Sequence, residues 1–255
     1  MTYCVAVKLD AGLVFLSDSR TNAGVDQIST FRKMMIYERP GDRFMVLLSA
    51  GNLSISQQVR EILQIQQIDN GDKPPLTIWN ATSMFDAARV LGAAVRSVYD
   101  QDGEALQKAG LDFNASLILG GQIGGESMRL FLVYSAGNFI EATRDTPFLQ
   151  IGEHKYGKPI LDRAVKFTTD IYDALKIGLI SMDSTMRSNL GVGLPIDIAV
   201  ICRDAIEAEL VHRIEAGEPY FHDLRERWSA ALRAAHMAIP RPPYGSSASS
   251  PDPGL

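Results

Sequence analysis

The chain has 255 residues, enough for one large domain or two small ones and for a sizeable core. Hydrophobic residues make up 46% and charged residues 22%, near the average for globular proteins, which excludes collagen-like, disordered and disulfide-scaffold chains. The net charge of -5, with no run of basic residues, argues against nucleic acid as a partner.

In chain order, Tyr3 to Leu9 is apolar and β-branched, Asp10-Ala11-Gly12 has hairpin-turn chemistry, and Leu13 to Ser17 resumes the apolar run. Two further strands are expected at about Phe31 to Tyr37 and Phe44 to Ser49, after polar connections. Gly51 ends the fourth strand. Ser54-x-x-Gln57 then resembles a capping box, opening a helix with Ile55, Val59, Ile62 and Leu63 on its apolar face. A second helix is predicted from Thr77 to Tyr99, burying Phe85, Ala88, Leu91, Val95 and Val98.

The pattern returns to strands at Ala115 to Leu119, Arg129 to Ser135, Phe139 to Ala142 and Phe148 to Ile151. Helices follow at Lys158 to Phe167 and Asp170 to Asn189. Two strands, Asp197 to Ile201 and Leu210 to Ile214, precede a last helix at Tyr220 to Met237. Strands and helices in blocks point to an α+β fold: two stacked antiparallel sheets with helices on both outer faces. One domain is expected over residues 1–239, and the Pro- and Ser-rich segment 240–255 reads as a disordered tail.

Cys4 and Cys202 sit among apolar neighbours and read as buried, reduced thiols. The first residues carry no targeting signal and no apolar run has membrane-spanning length, so a cytoplasmic protein without a membrane partner is expected. The glycine pairs Gly120-Gly121 and Gly124-Gly125 lie between strands and read as a hairpin turn rather than a phosphate loop. His154, His212, His222 and His236 lack metal-ligand spacing, and Glu207, Glu209, Glu215 and Glu218 read as a solvated face; neither metal nor cofactor is expected.

The amino terminus carries more chemistry. Residue 2 is Thr, small enough to allow removal of Met1, and a strand begins immediately after it. A terminal threonine holds a hydroxyl and an α-amine on one residue, a nucleophile with its own base. A nearby cation would keep that amine neutral at cellular pH. Asp18-Ser19-Arg20-Thr21-Asn22-Ala23-Gly24 follows the second strand, Lys33 lies in the third, and Ser49-Ala50-Gly51-Asn52 closes the fourth. Taken singly, Asp18 and Lys33 would read as a cross-strand ion pair and Gly51 as a turn.

In joint order and spacing, Thr2, Asp18, Arg20, Gly24, Lys33 and Gly51 resemble the proteasome-type β subunits, N-terminal nucleophile hydrolases with a four-layer αββα fold. The DSRTNAGVDQISTFRKM segment, with no propeptide before Thr2, is similar to the Anbu branch. The resemblance implies that Thr2 attacks the scissile carbonyl with its amine as base. It further implies that Lys33 is a cation held by Asp18, and that the Gly51 N–H faces the oxyanion. Arg20, Thr21 and Asn22 would bind an extended peptide. Lys33 is one residue nearer to Thr2 than in most family members, which a shorter turn near Val25 to Thr30 could absorb. The serines that support the amine in the family are not matched one by one: Asp183 is placed by its segment, Ser188 stands for one serine, and Lys155 occupies the place of another. The expected function is a threonine-type peptidase acting on peptides or unfolded protein inside a homo-oligomeric ring or spiral, with an unfolding or delivery partner. The alternatives are an amidohydrolase for small amides or isopeptide bonds, or a weakly active or inactive scaffold subunit.

Overall fold

The first hairpin forms where its turn chemistry puts it. β1 (Tyr3–Lys8) pairs antiparallel with β2 (Gly12–Asp18), setting Cys4 opposite Ser17 and Lys8 opposite Leu13, and the Leu9 N–H closes the turn on the Gly12 carbonyl at 2.8 Å. The structure is a computed structural model and describes residues 1–22 and 28–244; the side chains of Asn22 and Ile28 are not described.

A short ribbon of β3 (Arg20–Asn22) and β4 (Ile28–Thr30) follows. Next come β5 (Met34–Arg39), β6 (Arg43–Gly51), α1 (Leu53–Ile65) and α2 (Met84–Lys108). The middle of the chain holds β7 (Ala115–Ile123), β8 (Arg129–Val133), β9 (Phe139–Glu141) and β10 (Phe148–Gly152). Then come α3 (Lys158–Ala164), α4 (Ile171–Ser188), β11 (Ile196–Cys202) and β12 (Leu210–Ile214).

One five-stranded antiparallel sheet has the order β10-β1-β2-β11-β12 and the other β5-β6-β7-β8-β9. Cys4, Ala6, Leu13 and Phe15 of the first meet Phe44, Val46, Leu48, Ile118 and Leu130 of the second in a core between the sheets. On the outer face of the second sheet, α1 and α2 cover Met45, Leu47, Leu117 and Leu119. On the outer face of the first, α4 packs on β1 and β2, where Gly178 leaves room for Leu16. β2 is therefore apolar on both faces and buried throughout, which explains its unalternating sequence. The layers are αββα, as the blocks of strands and helices imply.

The chain divides into two units, Met1–Glu218 and Pro219–Leu255. The second holds α5 (Pro219–Ala238), followed by residues 239–244 without regular structure. Most of the predicted tail, 245–255, lies outside the described residues, as do Gly24 and the first part of the turn near Val25. No described helix is long and apolar enough to cross a membrane.

Several boundaries differ from expectation, each for a local reason. α1 is capped by Asn52, whose Oδ1 accepts the Ser54 N–H at 3.0 Å, so the Ser54–Gln57 capping box does not form. α2 starts at Met84 behind the cap Ser83, because the Thr77 hydroxyl holds the Trp79 and Asn80 N–H groups in a separate turn. It also runs on to Lys108 through a polar stretch that lacks the apolar periodicity used to place its end. Phe85 is 44% exposed, its ring against Phe139 at 5.4 Å, while Met84 takes the buried position. β5 starts at Met34 and not Phe31, because the Phe31 N–H turns away to the Ser19 carbonyl at 2.9 Å. α3 stops at Ala164, before Phe167, because the Thr169 hydroxyl captures the Lys166 N–H at 2.8 Å.

Gly120 and Gly121 belong to β7 itself, and only Gly124 and Gly125 form the turn. A Cβ on Gly120 would collide with Phe15 from the facing sheet and one on Gly121 with the Phe44 backbone, so close packing demands both glycines. Cys4 is buried as expected, but Cys202 is half-buried at the end of β11. Of the four glutamates read as a solvated face, Glu215 pairs with Arg213 at 3.0 Å and Glu218 with His212 at 3.1 Å.

Candidate active site

The termini of several strands meet around a cavity of about 630 Å³. Met1 and Thr2 enter from the start of β1, Ser49 to Gly51 from the end of β6, Asn114 and Ser116 from the start of β7, and Gly152 and Glu153 from the end of β10; Thr21 and Lys33 complete the far wall. Antiparallel pairing brings these ends together. Tyr3 pairs with Gly152 across β1 and β10, and Gly51 pairs with Ala115 across β6 and β7.

Asp18 ends β2 next to the start of β1 and is fully buried. Its Oδ1 accepts the Lys33 ammonium at 2.7 Å and the Tyr3 N–H at 3.0 Å, and its Oδ2 accepts the Gly193 N–H at 3.4 Å. Burial pushes the carboxyl above its ordinary value, while the Lys33 charge and these hydrogen bonds pull it back. Lys33 is 5% exposed and also donates to the Arg20 carbonyl at 2.6 Å and to the Met1 carbonyl at 3.5 Å. All three of its protons therefore have acceptors, and one acceptor belongs to the peptide group that carries the Thr2 nitrogen.

Arg20 sends its guanidinium away from the cavity. Nη1 donates to the Leu190 carbonyl at 3.0 Å, and the group lies against Gly193, where a Cβ would have to displace it. The Arg20 side chain thus anchors the loop that delivers the Gly193 N–H to Asp18, while its carbonyl steadies Lys33. Gly51 has φ 107°, a conformation that favours glycine, and a Cβ there would strike the Asn114 carbonyl. Asn22 contributes backbone in β3.

Asp183 and Ser188 are not among the residues lining the cavity. Asp183 is buried on α4 with Arg187 Nε at 3.1 Å from its Oδ2, and Ser188 is the exposed last residue of that helix. Lys155 is exposed as well, and Glu153 is the charged residue that reaches the cavity from its segment. Sequence reasoning missed Glu153, Gly193 and Asn114. A Gly closing the strand at Gly152 was the single local signal for the first of these; nothing near Gly193 marked it.

One residue past the nucleophile candidate, the buried Tyr3 hydroxyl bonds to Ser181 Oγ at 2.6 Å and accepts from Gln150 Nε2, tying β1 to α4 and β10. Its phenol is pushed up to about 12 by burial, so it stays a donor at neutral pH. The Cys4 thiol is likewise raised by burial and lies against the Ser49 carbonyl, which makes it a packing residue. No cluster of three or more His, Cys, Asp or Glu able to hold a metal exists among the described residues.

No protein-family model and no curated protein matches the chain. Solved structures do. The Anbu (Gly-1) mutant from Hyphomicrobium sp. strain MC1 is 47% identical over 94% of this chain and 99% of that one, with a TM-score of 0.85. Anbu (ancestral beta-subunit) from Yersinia bercovieri is 47% identical over 95% of this chain and 100% of that one, at 0.86. A structure described as the helical assembly of the Anbu complex from Pseudomonas aeruginosa is 45% identical over 94% and 98%, at 0.85. With its two stacked antiparallel sheets flanked by helices and this identity over nearly its whole length, the chain belongs to the Anbu family of proteasome-type β subunits.

Proposed function

We propose that the protein is a threonine-type N-terminal nucleophile hydrolase that cleaves peptide bonds with Thr2 once the Met1–Thr2 bond has been broken. The observation that carries this is the position of Lys33: its ammonium is 2.7 Å from buried Asp18 and 3.5 Å from the carbonyl attached to the Thr2 nitrogen. A cation fixed there lowers the proton affinity of a free Thr2 amine, leaving it neutral and basic at cellular pH.

The chemistry then needs no other base. The amine takes the Thr2 hydroxyl proton as Oγ adds to the scissile carbonyl carbon. The negative charge moves onto the carbonyl oxygen, which the Gly51 N–H faces. Collapse expels the leaving nitrogen, which receives the proton held by the amine, and leaves an ester on Oγ. A water then loses its proton to the same amine and hydrolyses that ester, restoring Thr2. The backbone from Arg20 to Asn22 and at Gly51 pairs with an extended peptide, and Thr21 shapes the adjoining wall.

The Pseudomonas aeruginosa relative in its helical assembly supports a homo-oligomer for this chain. Sites enclosed by copies of the same chain would admit unfolded segments delivered by a partner, and not folded proteins. The test is intact-mass analysis of the N-terminus, followed by treatment with a peptide epoxyketone, whose adduct requires a hydroxyl and an amine on one residue. Labelling of the processed wild type and none of Thr2→Ala is the expected result; equal labelling of both, or none of either, overturns it. Turnover of small amides in the absence of peptide cleavage would assign the same chemistry to an amidohydrolase.

A further inference from the structure

We infer that Glu153 selects for substrates with a cationic side chain beside the scissile bond; this rests on Thr2 as the reacting residue. β10 ends at Gly152 in a left-handed conformation, φ 82°, where a Cβ would strike the Thr2 carbonyl. The chain then places Glu153 directly across from Thr2, and the Glu153 N–H donates to the Thr2 carbonyl at 2.7 Å. Glu153 also lines the same cavity.

The cavity's charges are unequally paired. Lys33 is neutralised in place by Asp18 at 2.7 Å and also donates to the Arg20 carbonyl at 2.6 Å, contacts that do not depend on Met1. Glu153 is half-buried, and among the described residues its side chain meets only the neutral Asn189 amide, Nδ2 to Oε2 at 3.2 Å, with no Lys, Arg or His in ion-pair range. Asn189 fixes one carboxylate oxygen and leaves the other to accept. Elsewhere in the wall, Thr21, Ser49, Ser56 and Ser116 add hydroxyls, and Met1, Ala50 and Leu53 add apolar surface. With no counter-ion among the described residues and one oxygen held by Asn189, the Glu153 carboxylate attracts a Lys or Arg side chain and repels an acidic one. Because its surroundings are partly desolvated, the attraction exceeds that of a surface pair.

The test uses two readouts on processed protein. In the first, Thr2→Ala is titrated with two fluorescein-labelled peptides that differ only in Lys against Gln at the central position, followed by anisotropy. The Lys peptide is expected to bind about tenfold more tightly at low salt, and the preference to vanish in Thr2→Ala with Glu153→Gln. In the second, wild type and Glu153→Gln cleave internally quenched peptides with Lys, Gln or Glu on either side of the bond. The Lys-to-Gln ratio of kcat/KM is expected to fall towards one in the variant. Equal binding of the two peptides, no binding of either, or a Lys preference that survives Glu153→Gln overturns the proposal. The binding readout needs no turnover, so a protein that binds Lys selectively but cleaves nothing refutes peptidase chemistry and leaves Glu153 selectivity standing.

Discussion

The Lys33 ammonium lies 2.7 Å from Asp18 Oδ1, with 5% of the lysine side chain and none of the aspartate exposed. Two charges taken this far from water depend on each other. Either one left alone is a buried charge without compensation, whereas the intact pair repays its desolvation only in part.

Asp18→Asn and Lys33→Met are each expected to cost about 3–5 kcal/mol, measured by denaturant unfolding. The double variant should lose less than the sum, with a coupling of about 1–3 kcal/mol, because no unpaired charge remains. Epoxyketone labelling of Thr2 should be lost in all three. Additive losses of stability would show that the pair does not interact as the distance implies.

Stability should also depend on pH through Asp18. Burial raises its folded pKa above the ordinary 3.8. Between that value and the raised one, the native chain holds more protons than the unfolded chain, so this group's contribution falls as pH rises through the window and is level above it. Asp18→Asn should remove that segment of the stability curve. Unfolding free energies measured across the acid range for both proteins check the difference in slope; parallel curves would refute it.

Gly152→Ala should displace Thr2. The position combines φ 82° with a Cβ that would meet the Thr2 carbonyl. Strain of about 1–3 kcal/mol is expected, along with a large fall in the rate of Thr2 labelling. Gly125→Ala is the control, because its φ is 80° but nothing lies within 4 Å of its Cβ. It should share the backbone strain and keep the labelling rate.

Tyr3→Phe removes the hydroxyl that joins β1 to Ser181 and Gln150. With Ser181 left unpaired in a buried setting and Gln150 in a half-buried one, a loss of about 1–3 kcal/mol is expected. Because Tyr3 adjoins Thr2, hydrogen exchange at the start of β1 should rise more than elsewhere in the sheet. A uniform rise would mean that the hydroxyl stabilises the fold without fixing this terminus.

The amino-acid sequence by itself determined the strand and helix blocks and the first hairpin, while the grouping of Thr2 with Asp18 and Lys33 came from its resemblance to the proteasome-type β subunits. Those features are local: a turn at Asp10 to Gly12 fixes the register that brings Asp18 beside Tyr3, and Lys33 follows after one short ribbon. Phe85 and the Thr77 turn were misread because periodicity registers apolar spacing and not which side a cap selects. Tertiary structure alone decided that Glu153 faces Thr2, that Gly193 donates to Asp18, and that Arg20 turns to the Leu190 carbonyl. Each joins residues about 150 or more positions apart, through strand pairing or a returning loop. Such contacts arise only when two sheets have closed on a shared core, and no short-range pattern of side chains encodes them.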